Sequence, residues 1–246
     1  MRKKCLVCCA IGEKYVMQTR RMAGSFIAYN PDWDIVEFYD HALVSLLPDV
    51  CRNWTAFDRV EIGRWYALKK ALETYDTALY CDGDIWWYDR YEESQHTLVL
   101  YPHCITRHAQ EKRKHYLWKD GNANIGILEM SRTEETERLF DFITGEVLYK
   151  PSDYVRHGTL WLQPLVSFTT NLYDVVYNTH AGYDVAFWNL ATEDREVIMW
   201  EGKRMVGTHD DELFPLVSFH FSSKSIEKLD RFGVVVQELK AEYLKQ

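Results

Sequence analysis

Apolar and polar positions along this chain fall into two alternating rhythms. Residues 4–10 (KCLVCCA) predict a buried strand, because all but Lys4 belong to the apolar run from Cys5 to Ile11. A turn through Ile11, Gly12, Glu13 and Lys14 follows. Apolar positions at Val16, Met22, Ala23, Phe26 and Ile27 then predict a helix over residues 15–29, which Asn30, Pro31 and Asp32 break. Residues 33–39 (WDIVEFY) alternate like a second strand and end at Asp40. Strand, glycine-bearing turn, helix, strand and acid make a βαβ opening. Residues 49–54 read as loop. A long helix is predicted over 55–74, with its stripe at Phe57, Val60, Trp65, Leu68, Ala71 and Leu72. It leads straight into an apolar run at Ala78, Leu79, Tyr80 and Cys81, which stops at Asp82, Gly83 and Asp84.

The same rhythms continue less regularly. Residues 98–101 predict another strand, followed by Pro102 and His103. Residues 106–121 are polar and basic without clear period and are expected to form a mobile loop. Residues 124–130 (NIGILEM) predict a strand, and residues 132–143 an acidic amphipathic helix with Ser131 as N-cap and Glu134 three residues on. Residues 151–164 read as irregular. Short strands are expected at 174–177 and 197–199, and a last buried strand at 216–221 (LVSFHF). Ser225 is expected to cap a terminal helix over 226–244, weakened in its middle by Gly233. Without repeat, linker or low-complexity stretch, residues 1–246 read as one domain.

Composition narrows the function. Hydrophobic residues make up 47% of the 246 positions and charged residues 27%, as in ordinary globular proteins. The formal net charge of −8 argues against a nucleic-acid protein, which shows a basic surplus or stripe. The six cysteines form no matched CxxC pairs, so a structural zinc site is not expected. Cys8 and Cys9 should point to opposite faces of the first strand as small core residues. The apolar run near the N-terminus is short for a signal peptide, and none reaches the roughly 18–20 residues that span a bilayer. A soluble, cytoplasmic protein is the expectation. Aromatic residues are abundant at 15%, which fits either a core of large rings or a cleft that stacks sugars or bases.

The candidate chemistry centres on TALYCDGDIWWY, residues 77–88. A buried strand that delivers two acids at its C-terminal end is where open α/β sheets place ligands. Two hard oxygen donors separated by glycine suit a divalent cation that carries a phosphorylated substrate. The alternative for Asp82, Gly83 and Asp84 is a plain turn. His220 lies at the end of the last apolar run and reads either as a packed core histidine or as a ligand. Ser222, Ser223 and Lys224 after it suit phosphate oxygens. Asn122, Asn124 and Gly126 form a polar entry to a strand. Asp153, Gln163 and Asp184 lie near aromatics in the sequence and suit sugar hydroxyls, and Arg64 is either a diphosphate contact or a solvated helix cation.

Taken together, these residues resemble the GT-A nucleotide-sugar glycosyltransferases, most closely the glycogenin-like and bacterial galactosyltransferase-like groups. The resemblance runs through nearly the whole chain. Ala10, Ile11, Gly12 and Tyr15 are similar to the nucleotide-base pocket, with Asp40 ending the second strand. LYCDGD is similar to the family's YLDxD, and NANIG (residues 122–126) to its N-x-G strand. GYDVAFWNL (residues 182–190) resembles GYNVAxWNL, and SFHFSSK (residues 218–224) resembles the ending HFxG..K. This chain departs from the pattern at Leu162, at Asp184 and at Ser222 and Ser223. Those positions carry Asp, Asn and Gly in the relatives.

The resemblance implies a single GT-A (Rossmann-like) α/β domain with a mixed, mostly parallel central sheet flanked by helices. It implies Mn²⁺ or Mg²⁺ held by Asp82, Asp84 and His220, with Asp84 at the reacting centre. Ala10, Ile11, Tyr15, Asp40, Arg64, Asp82, Gly83, Asn124 and Lys224 would meet a nucleotide-sugar donor, UDP-linked by expectation, and a glycan or other hydroxyl acceptor would take the sugar. A histidine ligand leans towards the retaining members; if the reaction inverts, Asp153 or Asp184 is the candidate base. Two alternatives stand beside this. One is a catalytically silent nucleotide-sugar-binding module. The other is a haloacid-dehalogenase-type phosphatase, whose DxDx[TV] motif fits poorly with Trp86 in its fifth position.

Overall fold

The computed structural model describes residues 2–94, 96–156, 158–208, 212–222 and 225–245. The chain opens with β1 (Lys4–Ala10), α1 (Glu13–Tyr29), β2 (Asp34–Tyr39), the helical turn α2 (His41–Val44), α3 (Ala56–Leu72) and β3 (Thr77–Cys81). The short β4 (Ile85–Trp87) and β5 (Leu98–Pro102) precede α4 (Arg107–Lys112) and α5 (Lys114–Asp120). Then come β6 (Ala123–Ser131) and α6 (Thr136–Tyr149). A small hairpin, β7 (Val155–Arg156) with β8 (Thr159–Leu160), leads to α7 (Gln163–Thr169) and β9 (Val175–Tyr177). The last third holds β10 (Val185–Ala186), α8 (Phe187–Ala191), β11 (Arg195–Trp200), β12 (Lys203–Thr208), β13 (Leu213–Pro215), β14 (Ser218–His220) and α9 (Val234–Leu244).

Among the described residues, six strands form the central sheet in the order β2-β1-β3-β6-β5-β9. Only β6 in this sheet runs against the others, so the sheet is mixed and mostly parallel. Side chains of β1 split between the two faces as their alternation requires. Cys5, Val7 and Cys9 join one core with α3 and α6; Leu6 and Cys8 join the other with Met22 and Phe26 of α1. All six thiols are buried and unpaired.

Local sequence sets the edges of these elements. Thr55 caps α3, its Oγ1 accepting the Asp58 N–H at 3.1 Å. Gly83 is needed for close approach rather than for turn conformation: a Cβ there would sit 2.6 Å from Thr19 Oγ1 and 3.1 Å from the Thr19 nitrogen on α1. The block Trp86, Trp87 and Tyr88 goes to packing. Trp87 is fully buried, edge-on to Phe26 (5.0 Å) and Tyr91 (5.7 Å), while Tyr88 lies under the Arg204 guanidinium.

The structure corrects three expectations about local elements. Residues 106–121 are not a loop but largely α4 and α5, the first capped by Thr106 Oγ1 on the Ala109 N–H. Ser131 is the last residue of β6 rather than an N-cap, and α6 begins at Thr136. The terminal helix is divided: residues 226–231 form a 3₁₀ helix, and Gly233 becomes the N-cap of α9 instead of an interior weak point.

One buried acid carries a measurable signature. Glu129 on β6 has no exposed surface; its carboxylate accepts the Tyr91 hydroxyl and the Ser94 N–H at 2.8 and 3.1 Å. Burial pushes its pKa up to about 7, although the Tyr91 and Ser94 hydrogen bonds pull the other way. The folded chain therefore keeps this proton to higher pH than the unfolded chain does. Stability is fully present below the unfolded pKa near 4.5 and is lost as pH rises through about 7, by about 3 kcal/mol. Urea unfolding of Glu129→Gln at pH 5 and pH 8 should show the variant gaining on the wild-type protein at the higher pH. Parallel pH profiles would show that Glu129 is ionised throughout.

Candidate metal centre

Three strand ends converge beside the carboxyl edge of the central sheet. After β3 the Asp82 N–H donates to the Gly126 carbonyl at 2.7 Å, and the Ile85 N–H closes a turn onto the Asp82 carbonyl at 3.1 Å. That turn feeds β4, which pairs antiparallel with β14 so that Ile85 lies opposite His220. The Phe221 N–H donates to the Asp84 carbonyl at 2.8 Å and extends the pairing past Asp84. On the other side of β14, β10 runs parallel, with Ala186 opposite His220. One ligand atom from each of Asp82, Asp84 and His220 lies within 4.8 Å of the other two.

This group fits a divalent cation. Two carboxylate oxygens and an imidazole nitrogen suit Mn²⁺ well and Mg²⁺ acceptably. Gly126 keeps the space open: a Cβ there would stand 3.1 Å from Asp82 Oδ2 and 3.3 Å from His220 Cε1.

The three side chains differ electrostatically. Burial raises the Asp82 pKa, against the pull of Arg64. The Tyr80 hydroxyl donates to its Oδ1 at 2.6 Å, and Arg64 Nη1 lies 3.6 Å from the same oxygen. Asp84 goes the other way. Burial is the largest single influence and opposes its ionisation, but the His220 charge and hydrogen bond together with a backbone hydrogen bond outweigh it and lower its pKa. His220 Nε2 is 3.2 Å from Asp84 Oδ1, and Nδ1 is 3.1 Å from Asp184 Oδ1. Burial disfavours the imidazolium, yet these carboxylates hold the pKa well above the ordinary histidine range. Without a cation, His220 is itself the positive charge between two acids.

The remaining candidates fall into three positions. At the carboxyl ends of β1 and β2, Asp40 Oδ1 accepts the Gly12 N–H at 2.8 Å and the Asp40 N–H donates to the Ala10 carbonyl at 3.0 Å. Ala10, Ile11 and Asp40 thereby form one loop cluster, near which Tyr15 projects at 59% exposure. This cluster and Asp82 lie at the switch between β2 and β3 on either side of β1, where open α/β sheets bind ligands. Behind the Asp82, Asp84 and His220 group, Arg64 is buried against Glu61 and donates to the Ile125 carbonyl at 2.8 Å, so it does not project as a solvated helix cation. Asn124 and Asp184 are buried beside His220 and bonded to each other. Asp153 is exposed on the 3₁₀ turn of residues 151–154, and among the described residues no contact joins it to the triad. Lys224 lies outside the described residues.

The structure adds a wall that sequence alone did not assign. The Trp188 ring stands edge-on to His220 (5.1 Å) and to His103 (5.4 Å), and His103 is edge-on to Tyr116 (5.6 Å). Gln163 Nε2 donates to the Tyr116 hydroxyl at 3.2 Å. Burial pulls the His103 pKa down to about 3, so its imidazole is neutral. His103 Nδ1 and Trp188 Nε1 are buried without a hydrogen-bond partner among the described residues. Arg195 pins this wall from behind, donating to the Tyr183 carbonyl at 2.7 Å and the Pro102 carbonyl at 3.2 Å. Its neighbour Asp194 holds the Ile105 and Thr106 N–H groups. The sequence signals for this arrangement were Gln163 and the Trp188 segment, residues 182–190.

Compared as a sequence, the chain matches no family model and no curated protein. Compared as a structure, it matches solved glycosyltransferases. The galactosyltransferase LgtC, in complex with donor and acceptor sugar analogs, superimposes with a TM-score of 0.55 at 14% identity, covering 89% of this chain and 87% of that one. An active-site mutant of LgtC gives 0.60 at 14% identity, with 98% and 95% covered. The glycosyltransferase GlyE of Streptococcus pneumoniae TIGR4 gives 0.56 at 15% identity, with 99% of this chain covered and 60% of that one. The fold of the chain is the GT-A fold of these proteins.

Proposed function

We propose, from the GT-A fold and the centre it carries, that this chain is a metal-dependent glycosyltransferase. It would move a sugar from a nucleoside-diphosphate donor, with UDP-sugars the first to test, to a hydroxyl of a glycan or other acceptor. The observation that carries this reading is the convergence of Asp82, Asp84 and His220 within 4.8 Å at the sheet's ligand-binding edge. A Mn²⁺ or Mg²⁺ held there would act as a Lewis acid towards the departing diphosphate. LgtC was crystallised with donor and acceptor sugar analogs, which supports the same pair of ligands here.

The chain's own residues divide the work. The Ala10, Ile11 and Asp40 cluster and the exposed Tyr15 ring would receive the base and ribose. Asn124 and the Trp188–His103 wall would border the sugar, and the two unpartnered ring nitrogens are polar atoms that hydroxyl groups satisfy. Tyr80 and Arg64 orient Asp82. Asp184 has both oxygens engaged, and Asp153 is exposed on its own turn, so neither stands as a free base. That supports the retaining course, in which the leaving phosphate takes the acceptor's proton. A phosphatase reading gains nothing here, because the acidic pair follows the third strand and the fold is GT-A.

A thermal-shift screen of nucleotide sugars, each with and without Mn²⁺, tests this directly. A donor at roughly one hundred times its Kd adds about 2.7 kcal/mol, several degrees in Tm for a chain of this length. The expected hit stabilises only with the metal present and is turned over when an acceptor is added. Stabilisation without turnover across an acceptor panel would identify a silent binding module. No metal-dependent stabilisation by any donor would sink the proposal.

A further inference from the structure

We infer that Asp184 is a positioning residue of the metal centre, holding His220 in the one tautomer that presents the Nε2 lone pair beside Asp84. The inference rests on the metal-centre reading above and concerns a residue outside the ligand set.

The hydrogen bonds around Asp184 run in one consistent direction. The Gly126 N–H donates to Asn124 Oδ1 at 2.9 Å, which fixes the amide's orientation and turns its Nδ2 towards Asp184. That Nδ2 donates to Asp184 Oδ2, and His220 Nδ1 lies 3.1 Å from Asp184 Oδ1. The Asp184 N–H is anchored on Ser218 Oγ at 2.8 Å. Asp184 is 2% exposed and sits at φ +49°, a left-handed conformation that aspartate tolerates better than most residues. Position 184 must therefore accept on both oxygens. A carboxylate does so, whereas an amide has one acceptor and one donor. With asparagine at 184, either two NH₂ groups would face each other at residue 124, or an NH₂ would face His220 Nδ1. The second arrangement forces the imidazole proton onto Nε2, the nitrogen 3.2 Å from Asp84 Oδ1. A carboxylate on the far nitrogen of a ligating histidine is a recurrent means of fixing ring orientation and tautomer.

The test is calorimetric titration with Mn²⁺ alone, with no donor or acceptor present. Asp184→Asn should weaken Mn²⁺ binding roughly 10- to 100-fold, the usual effect of losing such a partner. In a His220→Ala background the same substitution should change nothing further, because Asp184 acts only through His220. Exchanging the groups, Asn124→Asp with Asp184→Asn, restores an acceptor for His220 Nδ1 and a donor–acceptor pair at 124, and should recover most of the affinity. Should Asp184→Asn fail to fold, the comparison moves to Asn124→Asp alone, where two carboxylates face each other, against the exchanged pair. The exchanged pair should bind more tightly. Wild-type affinity in Asp184→Asn, or an equal loss with and without His220, would overturn the inference while leaving the metal centre standing. If the wild-type protein binds no Mn²⁺, the metal-centre reading fails and takes this inference with it.

Discussion

Asp84→Ala and His220→Ala are each expected to abolish metal-stimulated glycosyl transfer while leaving the chain cooperatively folded. A cation at a developing negative charge supplies several kcal/mol of transition-state stabilisation. At about 1.4 kcal/mol per factor of ten, its loss lowers turnover on the order of a thousandfold or more. Asp84 separates chemistry from folding better than the other two ligands do, because His220 is also buried against Asp184 at 3.1 Å. Asp82 is tied to Tyr80 and lies beside Arg64, so its loss also disturbs a buried network. His220 adds a pH dependence. In the metal-free chain the Asp84 and Asp184 carboxylates keep it protonated well above the ordinary histidine range, so a cation entering at its nitrogen must displace that proton. Mn²⁺ affinity should therefore rise with pH through and beyond neutrality. Turnover against Mn²⁺ concentration, measured at several pH values beside the Tm of each variant, checks all of this. Unchanged Mn²⁺ dependence in both variants would sink the site assignment.

How much of this was legible in the sequence depends on the range of the contacts involved. The opening βαβ, the long helix α3 and the strand ending at Asp82 follow from apolar runs and helical stripes, which are local and strongly periodic. His220 was different. From the residues alone it reads either as a packed core histidine or as a ligand, and the resemblance favours the ligand. What brings it to Asp84 is the pairing of β14 with β4, between strands far apart in the chain and only three residues long each. No local pattern encodes that. Helices α4 and α5 were hidden because their basic sequences carry little apolar period; Thr106 and the Asp194 carboxylate set the start of α4 instead. The β11–β12 hairpin was understated for another reason. Its turn uses Glu201 and Gly202, both at positive φ, and glutamate is not a residue that announces such a turn.

Arg64→Met is expected to destabilise the chain by about 3–5 kcal/mol, the cost of breaking one side of a buried ion pair. The Arg64 and Glu61 side chains are 6% and 5% exposed, and the guanidinium also meets the Ile125 carbonyl and the Tyr80 ring. Burial already pushes the Glu61 pKa up to about 7 with the guanidinium beside it, so without Arg64 the carboxylate either stays charged with no cation or takes up a proton, and that cost is the largest part of the loss. Two consequences separate this from a direct donor contact. Glu61→Gln combined with Arg64→Met should recover much of the stability, because the charge left behind is gone. The single variant should also lose less stability as pH falls, since Glu61 can then take up a proton in place of its partner. Urea denaturation of the two single variants and the double at two pH values supplies the cycle. If Arg64 instead faced the donor diphosphate, Arg64→Met would raise the donor KM at nearly unchanged stability, and Glu61→Gln would rescue nothing.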